Sequence, residues 1–181
     1  MLQEVILAGF GGQGVMSMGQ LLAYAGMMED KHVSWIPSYG PEMRGGTANC
    51  SVSISDAPVS SPIITEPDTL IVLNRPSLEK FEKDLKPGGL LLLNSSLIDV
   101  EPQRQDVAVL KIPANELALE KLNNSRVANM IILGAFVELT GAVSIESVIQ
   151  GLKKVLPEYR HNLIPLNRQA LELGVELAGG K

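Results

Sequence analysis

The chain is poor in residues that hold metals and disulfides. Its 181 residues include one cysteine, Cys50, and two histidines, His32 and His161, far apart in the sequence. A single thiol excludes an internal disulfide and suits a reducing compartment, so we expect a cytoplasmic protein. Cysteine-ligated iron–sulfur clusters need about four thiolates, and the two histidines lack the spacing of metal ligands. The sequence therefore predicts no metal centre held by this chain alone.

Basic clusters and long apolar runs are also missing. Lys153-Lys154 is the only pair of adjacent cations, and the formal net charge is −5. Nucleic acid and anionic membranes both require a basic face, so neither is an expected partner. The longest apolar run, Val127–Val137, is interrupted by Asn129 and falls short of the roughly 18 residues that a spanning helix needs. The first four residues carry no basic segment or cleavage site, so no secretory leader is expected.

Apolar residues are abundant for a chain of this size. Hydrophobic residues make up 45% of the sequence and charged residues only 19%. One interpretation is a core together with a surface buried against partner proteins or a second copy of the chain. A well-filled core alone accounts for the composition equally well.

Short apolar runs alternate with segments of helical periodicity. Strands are predicted at Val5–Gly9, His32–Tyr39, Thr47–Ser55, Thr69–Leu73, Leu90–Leu93 and Val107–Ile112. Helices are predicted at Val15–Met28, Arg75–Leu85, Pro113–Leu122, Arg126–Thr140, Ile145–Leu156 and Asn162–Leu177. We expect an α/β fold, in which residues 1–181 form a single three-layer α/β/α domain. Its sheet is mostly parallel, with a Rossmann-like glycine turn after the first strand.

The third predicted strand should run antiparallel to the second. Thr47–Ser55 alternates apolar and polar residues, but only the loop Ser38–Gly46 separates it from the strand before. A parallel connection needs about a dozen residues or more. The sequence therefore predicts at least one antiparallel strand.

Four loops should meet at one edge of this sheet. Gly9–Gly14, Ser38–Gly46, Asn74-Arg75 and Asn94–Ser96 each follow the carboxyl end of a predicted strand. Ligands of open α/β sheets bind outside those ends. We expect the first two loops to leave adjacent strands and to form a shared site.

The first loop has the spacing of a dinucleotide-binding turn. Gly9, Gly11 and Gly14 follow a strand and precede a helix, where backbone amides favour an anion. The acid that would hold a ribose at the end of the second strand is missing, which argues against NAD. The glycines, with Gly12 and Gln13 between them, either contact a phosphate or partner subunit or serve only to form a tight turn.

The second loop places an arginine beside two glycines. Arg44, near Tyr39, can grip a phosphate or a carboxylate. Alternatively, Arg44 pairs with Glu42 and only shapes a surface turn. Asn129, in the most apolar helix, also has two interpretations. Its side chain either ties that helix to a loop or marks a polar spot at a subunit contact.

Together these segments resemble one family closely. The stretch from Ala8 to Gly14, the run Leu21-Leu22-Ala23 and the long segment from Ser38 to Cys50 are similar to the gamma subunit of 2-oxoacid:ferredoxin oxidoreductases. Asn94–Ser96 and Val127–Met130 resemble that family too, so the similarity extends along nearly the whole chain.

The resemblance implies a subunit of an enzyme complex. Such complexes oxidatively decarboxylate a 2-oxoacid to an acyl-CoA with thiamine diphosphate and Mg²⁺, and pass electrons through iron–sulfur clusters to ferredoxin. Alpha, beta and in some cases ferredoxin-like delta subunits hold those groups, so this chain is expected to be inactive alone. Coenzyme A or a subunit contact is the role implied for a set of residues in the two glycine-rich segments: Gly9, Gly11, Gly12, Gln13, Gly14, Tyr39, Glu42 and Arg44.

Two other functions stay open at this point. One is a free-standing nucleotide-binding α/β protein, and the other is a scaffold subunit that binds no ligand. Within the family, the segment from Ser38 resembles the 2-oxoglutarate type more than the pyruvate type, with branched-chain 2-oxoacid enzymes next.

Overall fold

A six-stranded mixed sheet forms the centre of the computed structural model, which describes residues 1–38 and 47–179. The strands are β1 (Leu2–Phe10), β2 (His32–Ser38), β3 (Thr47–Ser55), β4 (Thr69–Val72), β5 (Leu90–Asn94) and β6 (Ala108–Ile112). The helices are α1 (Val15–Met28), α2 (Arg75–Phe81), α3 (Ala114–Leu122), α4 (Ala128–Thr140), α5 (Ile145–Val155) and α6 (Ile164–Gly179). The elements predicted from periodicity are all present, with bounds shifted by a few residues.

The strand order is β2-β3-β1-β4-β5-β6. β3 is antiparallel to both β1 and β2, whereas β1, β4, β5 and β6 pair in parallel. The predicted fold class and the antiparallel direction of β3 are therefore confirmed. The expectation that β1 and β2 are adjacent is wrong, because β3 inserts between them. Local sequence patterns indicate that β2 and β3 form a hairpin, but not which of the two joins the rest of the sheet.

The two faces of the sheet bury separate apolar clusters. On one face, residues such as Leu7, Val52 and Leu92 pack with α1 and with the four C-terminal helices α3 to α6. On the other, Leu70 and Leu91 pack with Leu78 of α2 and with the segment that follows β5. Alternate residues of a strand point to opposite faces, which is how β1 supplies side chains to both clusters.

Helix α1 lies unusually close to the sheet. A Cβ atom added at Gly19 would lie 2.5 Å from Sγ of Cys50, and one added at Gly26 would lie 2.6 Å from Val33. These glycines are seven residues apart, so they occupy the same side of the helix. The close approach fixes α1 on β2 and β3 and holds its first turn at the carboxyl edge of the sheet.

Short 3₁₀ segments precede two of the C-terminal helices. Residues Ser125–Val127 and Glu158–Leu163 form 3₁₀ turns, and each turn overlaps the start of a predicted helix. Asn124 caps the first of these turns by accepting a hydrogen bond from the backbone N–H of Arg126 at 3.0 Å. Ser144 caps α5 in the same manner, by accepting a hydrogen bond from the N–H of Ser147 at 3.1 Å. Among the described helices, none is long and apolar enough to span a membrane.

Candidate functional site

The glycine turn after β1 is held by the side chain of Gln13. Its Oε1 accepts a hydrogen bond from the Phe10 N–H at 2.6 Å, and its Nε2 donates to the Leu73 carbonyl at 3.3 Å. A Cβ atom on Gly9 would lie 2.6 Å from that same Oε1. Gly9 and Gln13 therefore tie β1 to the end of β4, which is a structural use of both residues.

The remaining glycines shape the start of α1. Gly12 and Gly14 have φ values of 89° and 80°, which glycine adopts without the strain that a side chain would bring. Gly14 is also crowded, because a Cβ there would lie 2.4 Å from Nδ2 of Asn129 on α4. Gly11 and Gly12 are exposed. Within the described part of the chain, the N–H groups of Gly11, Gly12 and Gly14 donate to no protein acceptor, so they are available to an anion at a helix N-terminus.

The ends of the second loop lie at the same edge. Phe10 is in register with Thr47, and Ser38 with Asn49, so β1 and β2 end on the same side of the sheet and β3 begins there. With one strand between them, the two strand ends are about 10 Å apart. The side chains of Tyr39, Glu42 and Arg44 belong to the predicted loop and lie outside the described residues. Their role stays a prediction.

A cavity of about 210 Å³ opens beside the glycine turn, and we call it the edge cleft. It lies where β1, β4 and β5 end, which confirms that the loops after these three strands share an edge. Glycine, amide and small side chains make up most of its wall, together with one arginine: Gly12, Gln13, Leu73, Asn94, Asn115, Ser125, Arg126, Ala128 and Asn129. No carboxylate is among them, in a chain with 20 acidic residues.

Asn94 organises the floor of the edge cleft. It is only 2% exposed, and its Oδ1 accepts from the N–H groups of Ser96 and Ala114, both at 3.3 Å. Its Nδ2 donates to Oδ1 of Asn115 at 2.7 Å. A buried amide of this kind is costly unless it is hydrogen-bonded. Asn94 thus fixes the turn after β5 against the first turn of α3 and presents Asn115 to the cleft.

Arg126 and Asn129 are two cleft residues whose side chains have no partner among the described residues. Across the described residues, Arg126 forms no ion pair and the Asn129 carboxamide forms no hydrogen bond. Asn129 is half-buried, and it contacts the glycine turn without bonding to it. A guanidinium beside free backbone amides can hold a phosphate or carboxylate by charge-assisted hydrogen bonds.

Sequence reasoning missed Arg126 and Asn115 as site residues. Arg126 follows the polar turn Asn123-Asn124-Ser125, and such a turn before a helix was a signal for a helix N-terminus. Nothing local indicated that this N-terminus would face the glycine turn. That arrangement depends on α4 packing beside α1, which is a tertiary contact.

The chain's only thiol lies away from this cleft and is chemically quiet. Cys50 is fully buried under α1, and burial raises the pKa of its thiol to about 12, so the reactive thiolate is not formed near neutral pH. No group of three or more potential metal ligands occurs in the described ranges. The chemistry that this arrangement supports is anion binding.

The fold and the edge cleft define an α/β domain with a candidate anion-binding cleft at the carboxyl edge of its sheet, and comparison with known proteins assigns it to a family. The chain belongs to the pyruvate ferredoxin/flavodoxin oxidoreductase family, whose model matches residues 4–177. The predicted resemblance is thereby confirmed.

Named relatives are subunits of 2-oxoacid oxidoreductases. The VorA subunit of ketoisovalerate oxidoreductase from Methanothermobacter thermautotrophicus is 42% identical over 97% of this chain and 36% of its own length. The KorC subunit of 2-oxoglutarate synthase from Methanocaldococcus jannaschii is 37% identical over 87% of this chain and 86% of its own. The chain thus spans about a third of the length of the ketoisovalerate relatives and most of the length of KorC.

Solved structures give the same assignment. The gamma subunit of a keto/oxoacid ferredoxin oxidoreductase from Geobacter sulfurreducens superposes with a TM-score of 0.85 at 33% identity, covering 99% of both chains. A 2-oxoglutarate:ferredoxin oxidoreductase from Magnetococcus marinus, solved with 2-oxoglutarate, coenzyme A and succinyl-CoA bound, gives a TM-score of 0.88 at 25% identity. The match covers 99% of this chain and 31% of that one.

Proposed function

We propose that this chain is the gamma-type subunit of a 2-oxoacid:ferredoxin oxidoreductase. The observation that carries the proposal is the end-to-end match to the Geobacter gamma subunit, which covers 99% of both chains. In the overall reaction a 2-oxoacid and coenzyme A give an acyl-CoA, carbon dioxide and a proton. The two electrons released reduce two one-electron ferredoxin centres. The complex would operate in the cytoplasm.

Most of the chemistry belongs to other subunits in this proposal. Thiamine diphosphate with Mg²⁺ supplies the decarboxylation and iron–sulfur clusters carry the electrons, with alpha, beta and ferredoxin-like delta subunits as their holders. A single buried cysteine gives this chain no means of ligating a cluster by itself. Its contribution is to complete the assembly and to receive coenzyme A; isolated from its partners, it can associate with itself.

Coenzyme A would meet this chain at the edge cleft. The free N–H groups of the glycine turn and the unpaired guanidinium of Arg126 supply positive potential, and the cleft wall contains no carboxylate to oppose it. Arg44, with Tyr39 and Glu42, remains part of the proposed site, because the strands on either side of that segment end and begin at the same edge.

We propose 2-oxoglutarate as the substrate to test first. The 2-oxoglutarate synthase relative matches over most of the length of both chains, whereas the more identical ketoisovalerate relative is matched over about a third of its length. Because decarboxylation occurs on other subunits, the choice is settled by assay with 2-oxoglutarate, 2-ketoisovalerate and pyruvate side by side.

The first experiment compares the isolated chain with the assembled complex. Purified alone and given 2-oxoglutarate, thiamine diphosphate, Mg²⁺ and coenzyme A, the chain should reduce no acceptor. Co-purified with subunits encoded beside it, it should support 2-oxoacid-dependent and coenzyme A-dependent reduction of ferredoxin. Turnover by the isolated chain, or a complex with no 2-oxoacid activity, would overturn the proposal in favour of a free-standing enzyme or a scaffold.

A second experiment tests the coenzyme A site within the complex. Loss of one charge-assisted contact costs about 1.5–3 kcal/mol, so Arg44→Ala should raise the KM for coenzyme A about ten- to a hundredfold while the complex stays intact. Arg75→Ala is the matched control, because Arg75 lies at the same sheet edge but is paired with Glu79 at 2.8 Å. Dissociation of the complex on Arg44→Ala would make Arg44 structural, and an unchanged KM would remove it from the site.

A further inference from the structure

Strand β2 is the last strand on one side of the sheet, and its outer side is unpaired. Within residues 1–38 and 47–179, no strand lies beyond it. β6 is the last strand on the other side, and there Lys111 forms an ion pair with Glu101. A charge on a terminal strand opposes pairing with another chain. β2 has the sequence His-Val-Ser-Trp-Ile-Pro-Ser, so it lacks the lysine, arginine or carboxylate that would oppose such pairing.

The backbone groups that point outward from β2 follow from the hydrogen bonds of the sheet. The Leu73 N–H donates to the Ala8 carbonyl at 2.9 Å, so the backbone groups of Ala8 face β4. Successive residues of a strand alternate in this direction. Carried through the registers of β1 with β3 and of β3 with β2, the alternation directs the backbone groups of Val33, Trp35 and Pro37 outward. Proline has no N–H, so the outer side of β2 offers two donors, the N–H groups of Val33 and Trp35.

An uncharged groove runs beside this unpaired strand. It has a volume of about 310 Å³ and lies between α1 and β2, and none of the described residues in its wall is charged: Gln20, Ala23, Tyr24, Met27, Val33 and Trp35. Met27 is 57% exposed, and Tyr24 and Met28 are also exposed. Methionine side chains adapt readily to a partner surface. We call the outer side of β2 together with this groove the β2 border.

Two serine hydroxyls next to the β2 border lack partners. Ser34 of β2 and Ser53 of β3 lie directly opposite each other. The Oγ atom of each is buried and has no hydrogen-bond partner among the described residues. A buried polar group without a hydrogen bond costs stability. A hydroxyl brought against Ser34 from outside the chain would reduce that cost.

We infer that the β2 border binds a second copy of this chain, by antiparallel pairing of β2 with its copy about a twofold axis at Ser34. In this register the Val33 N–H of each chain donates to the Trp35 carbonyl of the other. The Trp35 N–H of each chain likewise donates to the Val33 carbonyl of the other, so every outward donor of both strands is used. Each indole ring lies beside a valine of the other chain, which is a favourable cross-strand pair.

The self-complementarity of β2 favours a second copy as the occupant. The axis at Ser34 aligns four serines in one row across the two sheets, because Ser53 and Ser34 of one chain meet their own copies. The unpartnered hydroxyls thereby gain partners. An axis at Trp35 would instead place Val33 opposite Pro37, which has no N–H for the Val33 carbonyl. Although the chain has a net charge of −5, two uncharged borders meet without the repulsion of like charges. The pairing uses no residue of the edge cleft, so it is independent of the proposed function.

Engineered cysteines test the pairing and its register in the isolated full chain. The Cα atoms of a non-hydrogen-bonded antiparallel pair are about 4.5 Å apart, which suits a disulfide. Ser34→Cys should therefore give a disulfide-linked dimer on mild oxidation, seen by non-reducing electrophoresis. Ile36→Cys is the matched control, because Ile36 lies on the same face of β2 and is 38% exposed. In the predicted register it is about 13 Å from its own copy. The native Cys50 is buried and should not react.

Either of two results would overturn the predicted pairing. One is the absence of a linked dimer with Ser34→Cys, and the other is a linked dimer formed as readily with Ile36→Cys.

Sedimentation equilibrium of the unmodified chain measures the dimer directly. Met27→Lys brings like charges together across the axis and should raise the Kd of the dimer at least about tenfold. Leu119→Lys is the control, because Leu119 is 58% exposed and lies on α3, which packs against α4 and α6. Thermal unfolding of both variants checks that the fold is kept.

A chain that stays monomeric, or a dimer that both lysine variants weaken equally, would refute the inference. The same holds for a chain that is monomeric alone but whose Met27→Lys variant no longer enters the complex. That result would assign the β2 border to another subunit.

Discussion

The amino edge of the sheet and the edge cleft at its carboxyl edge use charge in opposite ways. At the amino edge, Nζ of Lys86 lies 2.8 Å from Asp68 and 3.1 Å from Glu4, and the hydrogen bond to Asp68 raises the pKa of Lys86. At the carboxyl edge, Arg126 has no carboxylate partner among the described residues, and no acid lines the edge cleft. Charges that stabilise the fold are paired within it. Under the proposed function, the unpaired charge of Arg126 is available to a ligand.

The amino edge also contains Glu29, whose pKa is shifted furthest among the carboxylates of the described residues. Glu29 follows α1, and its Oε1 accepts a hydrogen bond from the Ser144 N–H at the start of α5, at 2.7 Å. Partial burial opposes ionisation of Glu29, but the hydrogen bonds from Ser144, Ser147 and Lys31 outweigh it and lower its pKa to about 2. The Glu29 carboxylate therefore connects the end of α1 to the start of α5.

The largest expected effect comes from removing the charge of Glu29. Because its pKa in the folded chain is below the usual value of 4.5, Glu29 adds stability that is fully present above pH 4.5 and is lost as pH falls toward 2. The linkage amounts to about 2–3 kcal/mol. Glu29→Gln should lower the free energy of unfolding by that order near pH 7, with the difference shrinking below pH 4.5.

Urea unfolding at a series of pH values measures this difference. Glu120→Gln is a suitable control, since Glu120 is exposed and takes part in none of the ion pairs seen in the described residues. A stability difference for Glu29→Gln that does not change with pH would show that the carboxylate contributes shape and not charge. The charge of Glu29 would then not be a source of stability at the amino edge.

At the carboxyl edge, the free energy of unfolding should depend on the backbone conformation of the glycine turn. Gly14→Ala introduces both a side chain at positive φ and a Cβ atom 2.4 Å from Asn129, and we expect a loss of about 1–2 kcal/mol. Gly12→Ala shares the positive φ but has no atom within 4 Å of the added Cβ, so it should cost about 1 kcal/mol. Thermal unfolding of both variants gives the comparison. Equal losses would mean that Asn129 moves aside without cost.

Much of this fold was predictable from local patterns, whereas the cleft was only partly so. Alternating and helical periodicities predicted every strand and helix, and the short connection predicted the antiparallel β3. The glycine spacing predicted the turn. It did not predict that Gln13 holds this turn, because that role depends on Leu73, sixty residues away. The edge cleft combines residues from the β1 turn, β5 and the starts of α3 and α4. Tertiary packing brings those segments together, and no window of sequence contains them.

A smaller effect is expected from the ion pairs of the amino edge. Lys86→Met removes the cation that neutralises Asp68 and Glu4, whose side chains are 30% and 19% exposed. Partly solvated pairs are worth about 1 kcal/mol at most, so we expect a loss of that order that becomes smaller at high salt. Denaturant unfolding at low and high ionic strength measures it. A loss independent of salt would point to the packing of the Lys86 stem as the cause.

The smallest effect on stability should come from the arginine of the edge cleft. Arg126 is exposed and forms no ion pair among the described residues, so Arg126→Met removes no contact with a carboxylate and should change the free energy of unfolding by less than about 0.5 kcal/mol. Ligand binding should instead distinguish the unmodified chain from the Arg126→Met variant. At ten times its Kd, coenzyme A stabilises a chain that binds it by about 1.4 kcal/mol, and the same concentration should stabilise the variant less. Thermal unfolding with and without coenzyme A measures both quantities. If Arg126→Met destabilises the free chain as much as Lys86→Met does, Arg126 is a structural cation, and the contrast between the two edges of the sheet fails.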